Sequence, residues 1–155
     1  MGTSNRGSRL WIGAAVAAAL AVAGCASTDS ASEGAATTKP ASVTQLAGGQ
    51  WDVKTLNGQD VIPNVPINIT FEDGRVYGAG SCNRFMGSYT PGKEFAITMS
   101  QMASTMMACA DAQMQQEQTF LNLLADVTGY SVDAAGTLTL STADGRTITA
   151  QRAPA

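Results

Sequence analysis

Between Leu46 and Arg152 apolar residues return at every second position in short runs. In "QWDVKTLNG", Trp51 and Val53 alternate with polar partners ahead of an Asn-Gly turn signal, and in "PINITFE", Ile67, Ile69 and Phe71 share one face while Asn68 and Thr70 share the other. A period of two predicts half-buried strands. Asp73-Gly74 in "EDGR" joins the second run to "RVYGAGS" as a hairpin, "TPGKE" (Thr90 to Glu94) makes another turn, and "DGR" (Asp144 to Arg146) separates "TLTLS" from "TITAQ". Six or more strands in hairpin order are therefore expected. The period changes once, in "DAQMQQEQTFLNLLADV" (Asp111 to Val127), which has no glycine or proline, opens on Asp111 as the expected N-cap and ends at Gly129. Met114, Phe120, Leu121, Leu124 and Val127 recur there at helical spacing, so this one helix should lie across the sheet. Glu117 falls inside that apolar face, where a carboxylate needs a partner. The bland reading is a structural hydrogen bond to backbone, Asn83 or Arg84; the other is a site acid.

The front of the chain follows a different pattern. Arg6 and Arg9 precede an uncharged apolar run, "LWIGAAVAAALAVA" (Leu10 to Ala23), which is short for a membrane span and closes on "VAGC". This is the pattern of a secretory signal with a lipobox: residues 1–24 are expected to be removed and Cys25 to carry the lipid. Two or more acyl chains on such a cysteine make membrane attachment effectively permanent. Residues 25–45 are small and polar apart from Val43, with no apolar period, and read as a disordered tether reaching roughly 25 Å r.m.s.. The folded domain is then 46–152. Ala26, rather than aspartate, follows the anchor cysteine, which in a cell with two membranes points to the outer one, facing the periplasm. Removing Arg6 and Arg9 takes the basic count from 9 to 7 against 12 acidic residues, a net of −5 with no basic run, so nucleic acid is not an expected partner.

With Cys25 assigned to lipid, Cys82 and Cys109 remain as an even pair, and in an exported protein the economical reading is a disulfide. Two buried free thiols or a redox pair are the alternatives, the latter weakened by the lack of a C-x-x-C motif. The chain contains no histidine, which removes Ser-His-Asp and Cys-His catalysis and leaves too few ligands for structural zinc. No phosphate-cradle motif occurs. No enzymatic activity, cofactor or metal is called for.

The most unusual stretch is "GAGSCNRFMGSY" (Gly78 to Tyr89). Together with "STMMAC", "E..FLNLL" and "GTLTLSTADGRTI" at the appropriate distances, it resembles the META domain, the HslJ-like family of bacterial envelope proteins. The resemblance runs from Trp51 to about Ala150. It implies a compact α+β fold, an antiparallel sheet or partly open barrel with one helix packed across it. It also implies an exported or lipid-anchored protein associated with heat and envelope stress or antibiotic tolerance, with no established reaction. The family's two cysteines match Cys82 and Cys109, and its motif positions match Gly78, Gly80, Asn83, Gly87 and Tyr89; Thr105 falls in the second motif. Ser81 departs from the glycine that many members place there. On this reading the stretch is a fastened corner: the three glycines fit bends or positive φ, Asn83 bonds a neighbouring amide, and Cys82 pins the turn to the segment before the helix.

Three classes of function follow. The first is a non-catalytic lipoprotein held to the membrane at Cys25 and binding an unidentified envelope protein, with Phe85 and Met86 as the candidate contact surface. The second is a copper-handling or redox-sensing lipoprotein using Cys109 and the nearby Met99, Met102, Met106, Met107 and Met114, since thioethers suit Cu(I). Core filling is the plainer use of those methionines. The third, an inhibitor of a secreted enzyme, rests on analogy of scaffold alone.

Overall fold

The computed structural model describes residues 45–154. The expected signal segment, the lipid-bearing Cys25 and all of the tether except Gln45 lie outside the described residues. Ten strands and one helix follow in order: β1 (Gln50–Leu56), β2 (Gln59–Asp60), β3 (Ile67–Glu72), β4 (Arg75–Gly80), β5 (Arg84–Pro91), β6 (Ile97–Met99), β7 (Ala103–Ser104), α1 (Asp111–Ala125), β8 (Val127–Val132), β9 (Thr137–Thr142) and β10 (Thr147–Arg152).

The tight turns sit where the sequence signals them. Asn57-Gly58 and Asp73-Gly74 both have positive φ at their two central residues (49° and 78°, 48° and 77°), the backbone that matches the twist of a two-residue hairpin. The strands pair antiparallel in the order β6-β5-β4-β3-β1-β10-β9-β8, with β2 added beside β1 and β7 beside β5. The two ends of this path nearly meet. Ala96 bridges Gly129, and the Tyr130 amide donates to the Phe95 carbonyl at 2.9 Å, so the sheet curls into a nearly closed barrel. Curling leaves few unpaired strand edges.

Alternation directs one face of each strand inward. Trp51 and Val53 of β1, Ile67, Ile69 and Phe71 of β3, Leu138 and Leu140 of β9, and Ile148 and Ala150 of β10 are all buried in a single core. α1 covers that core with Phe120, Leu123 and Leu124. Phe120 meets Phe85 of β5 edge-on, with ring centroids 5.2 Å apart, a favoured aromatic geometry.

The helix departs from its expected outline in three ways. Ala110, not Asp111, occupies the N-cap, with no side-chain cap bond; Asp111 is the first helical residue, where its charge meets the positive end of the helix. The helix ends at Ala125, so Val127 begins β8 instead of completing the helical face. Met114 is exposed and Leu123 takes the inward position not assigned to it, because the first turns of α1 lie over a polar loop and only the later turns reach the core.

Candidate functional site

The β4–β5 hairpin carries most of the residues singled out in the sequence, and its two sides differ in kind. At its end, Ser81, Cys82 and Asn83 form the loop, and the Gly80 amide donates to the Asn83 carbonyl at 2.8 Å. Glu117 reaches this loop from α1. Its Oε2 accepts from the amides of Cys82 (3.0 Å) and Asn83 (2.6 Å), and its Oε1 accepts from Asn83 Nδ2 (2.8 Å). Asn83 Oδ1 in turn accepts from the Met107 amide (2.7 Å) and from Thr105 Oγ1 (2.8 Å). Asn83 Nδ2 also donates to the Met107 carbonyl at 3.2 Å. Cys82 and Cys109 are joined by a disulfide, with Cα atoms 6.0 Å apart. Asn83 and Glu117 are both buried, yet no buried side-chain polar atom among the described residues lacks a partner. This is a satisfied polar clasp holding hairpin, pre-helix segment and helix together, with both Glu117 oxygens accepting from the hairpin loop.

The glycines of the corner act by close approach, not by the positive φ considered above. None of Gly78, Gly80 and Gly87 has positive φ. A Cβ on Gly78 would lie 2.0 Å from the Asn68 carbonyl oxygen, and one on Gly80 would lie 3.2 Å from Glu117 Cγ. The left-handed residue is Ser81, at φ 106°, the position where the sequence departs from the family's glycine. Its hydroxyl accepts from Gln116 Nε2 (2.7 Å), while Gln116 Oε1 accepts from the Ile62 amide (2.6 Å). Gln116 thus braces the loop from the helix; it went unassigned because it carries no pattern other than its neighbour Glu117. Tyr89 is buried and meets the Phe71 ring edge-on at 5.3 Å.

Along the hairpin the inward set is Phe85 and Tyr89, the outward set Arg84, Met86 and Ser88. Phe85, at 2 % exposure, is therefore removed from the candidate contact surface, since the alternation of β5 turns it onto Phe120. Met86 stays on it at 66 % exposure. Its cross-strand neighbour is Tyr77 of β4, also exposed. Around this pair lies a groove of about 590 Å³ flanked by Glu72, Arg75 and Arg84. Tyr77 donates its hydroxyl to Glu72 Oε2 at 2.9 Å, which raises its phenol above the ordinary range. Arg75 lies 4.0 Å from Glu72, and the Arg84 guanidinium has no partner among the described residues.

A family model decides what this clasped barrel is: that of the META domain matches residues 44–155, which include the hairpin, the disulfide and the helix. The chain belongs to the META domain family. As a META domain it is similar in structure to a protein from Burkholderia xenovorans solved by NMR, at 25% identity and a TM-score of 0.61 over 75% of this chain and 89% of that one. A second NMR structure shares 29% identity at a TM-score of 0.56, covering 72% of this chain and 94% of the other. A crystal structure of a DUF4847 family protein from Bacteroides vulgatus, at 18% identity and a TM-score of 0.52 over 70% of this chain and 94% of that one, shares the fold alone. No curated protein matches the chain. In this META domain the clasp residues Asn83, Thr105 and Glu117 come together at one place, while Met86 stands on a separate face.

Proposed function

We propose that this META domain is a non-catalytic, lipid-anchored cell-envelope protein, a binding or accessory factor in envelope or heat stress or antibiotic tolerance. It engages a partner protein through the outer face of β4 and β5. The observation that carries this reading is the exposed Tyr77–Met86 pair beside an Arg84 guanidinium that has no partner among the described residues. Exposed apolar side chains grouped with a cation contribute little to folding and suit contact with another molecule. In a chain of net charge −3, two arginines at one apolar groove favour a partner segment that sets a carboxylate beside an apolar side chain. The polar side chains of the clasp, by contrast, bond to one another and to the backbone, as a fastening does. Anchoring rests on the lipobox at Cys25.

A photo-reactive residue at position 86, activated in intact cells, should give a discrete adduct that Arg84→Glu abolishes. Diffuse labelling unchanged by Arg84→Glu would end the assignment of this face. Cys25→Ser should move the protein from the membrane fraction to the soluble one; retention in the membrane would end the anchor.

A further inference from the structure

The methionines divide into two groups that packing alone treats differently. Met99 is buried and Met102 packs against the core, as expected of adaptable fillers. Met106, Met107 and Met114 are 97 %, 61 % and 37 % exposed. All three line one groove of about 340 Å³ between the pre-helix segment and α1, and none of them lines the groove around Met86. Burial accounts for the first group and does not account for the second.

We propose that Met106, Met107 and Met114 form a thioether site for a soft monovalent cation of the Cu(I) class. The donor chemistry narrows the choice. The chain has no histidine, and no three His, Cys, Asp or Glu side chains cluster among the described residues. The Cys82 and Cys109 sulfurs are spent in the disulfide, and Glu117, which lines the groove, directs both carboxylate oxygens to the hairpin loop. Beside the neutral hydroxyl and amide oxygens of Ser104, Thr105 and Gln118, the groove offers three polarisable sulfurs, and thioethers bind Cu(I) and Ag(I) in preference to hard divalent ions. The backbone beneath these side chains is already fixed. Met107 is held at both its amide and its carbonyl by Asn83, the disulfide ties Cys109 two residues on, and α1 carries Met114 in its first turns. Binding therefore has to order only three flexible side chains. The site is independent of the partner face proposed above and involves no change in metal oxidation state.

The test uses Ag(I), a redox-inert stand-in for Cu(I), on the full chain carrying Cys25→Ser so that no free thiol competes. With methyl-labelled methionine, Ag(I) should saturate at one equivalent and move the methyl signals of Met106, Met107 and Met114 while those of Met86, Met99 and Met102 stay in place. Met106→Leu/Met107→Leu/Met114→Leu together should weaken binding by about 100-fold or more, beyond what the loss of a merely supporting contact costs. Unshifted Met99 and Met102 signals would report that this variant is folded, and Met86→Leu should bind like the parent. The proposal is overturned if Ag(I) moves the other methionines instead, if no saturation occurs against a competing chelator, or if the triple variant binds as tightly as the parent.

Discussion

At the loop end of the β4–β5 hairpin a carboxylate, a carboxamide and a disulfide are gathered out of solvent, with Glu117 only 5 % exposed. A few residues along the same two strands, a methionine and a tyrosine stand in solvent beside two arginines. The first region looks chemically rich and the second bland, yet the partners point the other way. Each polar atom of the clasp is satisfied inside the fold, which is what stability requires of buried polar groups. Among the described residues the outer face leaves the Arg84 guanidinium without a partner and Met86 uncovered, which folding alone does not require. In this META domain the motif residues hold the barrel together, and the proposed partner face lies on the outer side of the same strands.

Glu117 is the residue whose loss should open the clasp most. Glu117→Ala would leave the Cys82 and Asn83 amides and Asn83 Nδ2 without their acceptor. At roughly 1–3 kcal/mol for each buried donor stranded, with some regained by water, the loss should be about 3–5 kcal/mol in urea denaturation. Glu117→Gln, which keeps one acceptor oxygen, should lose about half of that. A loss below about 1 kcal/mol for Glu117→Ala would mean that the clasp is not what holds the hairpin to the helix.

Next in size is the disulfide. It closes a separation of 27 residues, for which chain entropy gives roughly 3–4 kcal/mol. Cys82→Ser/Cys109→Ser should lower the urea midpoint accordingly. Because Cys82 and Asn83 share Glu117, adding Glu117→Ala to that background should cost less than it does alone. Strict additivity would show two independent fastenings instead of one unit.

Ser81→Gly acts in the opposite direction, because it should stabilise. A non-glycine residue at φ 106° stores of order 1–3 kcal/mol of backbone strain. Glycine removes that strain but gives up the hydroxyl that accepts from Gln116. The net gain should be about 1 kcal/mol, or about 4 °C in Tm for a domain of this size. A fall in Tm would show that the Gln116 brace outweighs the strain.

How far the sequence foretold this arrangement depends on how local each cause is. Strand alternation, the Asp73-Gly74 hairpin and the single helix depend on neighbouring residues, so they were readable, and the structural reading of Glu117 followed from its place in an apolar helical face. The disulfide needed only two cysteines and an expected compartment. Closure of the barrel was not readable as a contact, because it rests on backbone groups of Ala96, Gly129, Phe95 and Tyr130 far apart in the chain. β7 is two residues long and exists through its pairing with Phe85 and Met86, too short to leave a pattern. Phe85 was misplaced because a contact surface was assigned to two adjacent strand residues, which must face opposite sides. Arg84, a candidate partner of Glu117 in the sequence, instead points outward from β5, and its grouping with Arg75 exists only once β4 and β5 pair.

The smallest stability effect is expected where the proposed function resides. Met86→Thr with Arg84→Gln removes the exposed thioether and the guanidinium and puts a β-branched residue, well suited to a strand, at position 86. The Arg84 amide still donates to Thr105 Oγ1 and its carbonyl still accepts from the Thr105 amide, so pairing at the corner persists. Substitutions on a solvent face away from the core change stability by about 0.5 kcal/mol or less, and Tm should stay within about 2 °C of the parent. Adduct formation from a photo-reactive residue at the neighbouring outward position, Ser88, should nevertheless be lost. A stable variant that loses the adduct separates recognition from folding on these two strands. Should adduct formation persist, the groove beside Tyr77 is not where the partner sits. A drop in Tm of about 5 °C or more would instead make Met86 part of the packed structure, and the division between the two sides of the hairpin would no longer hold.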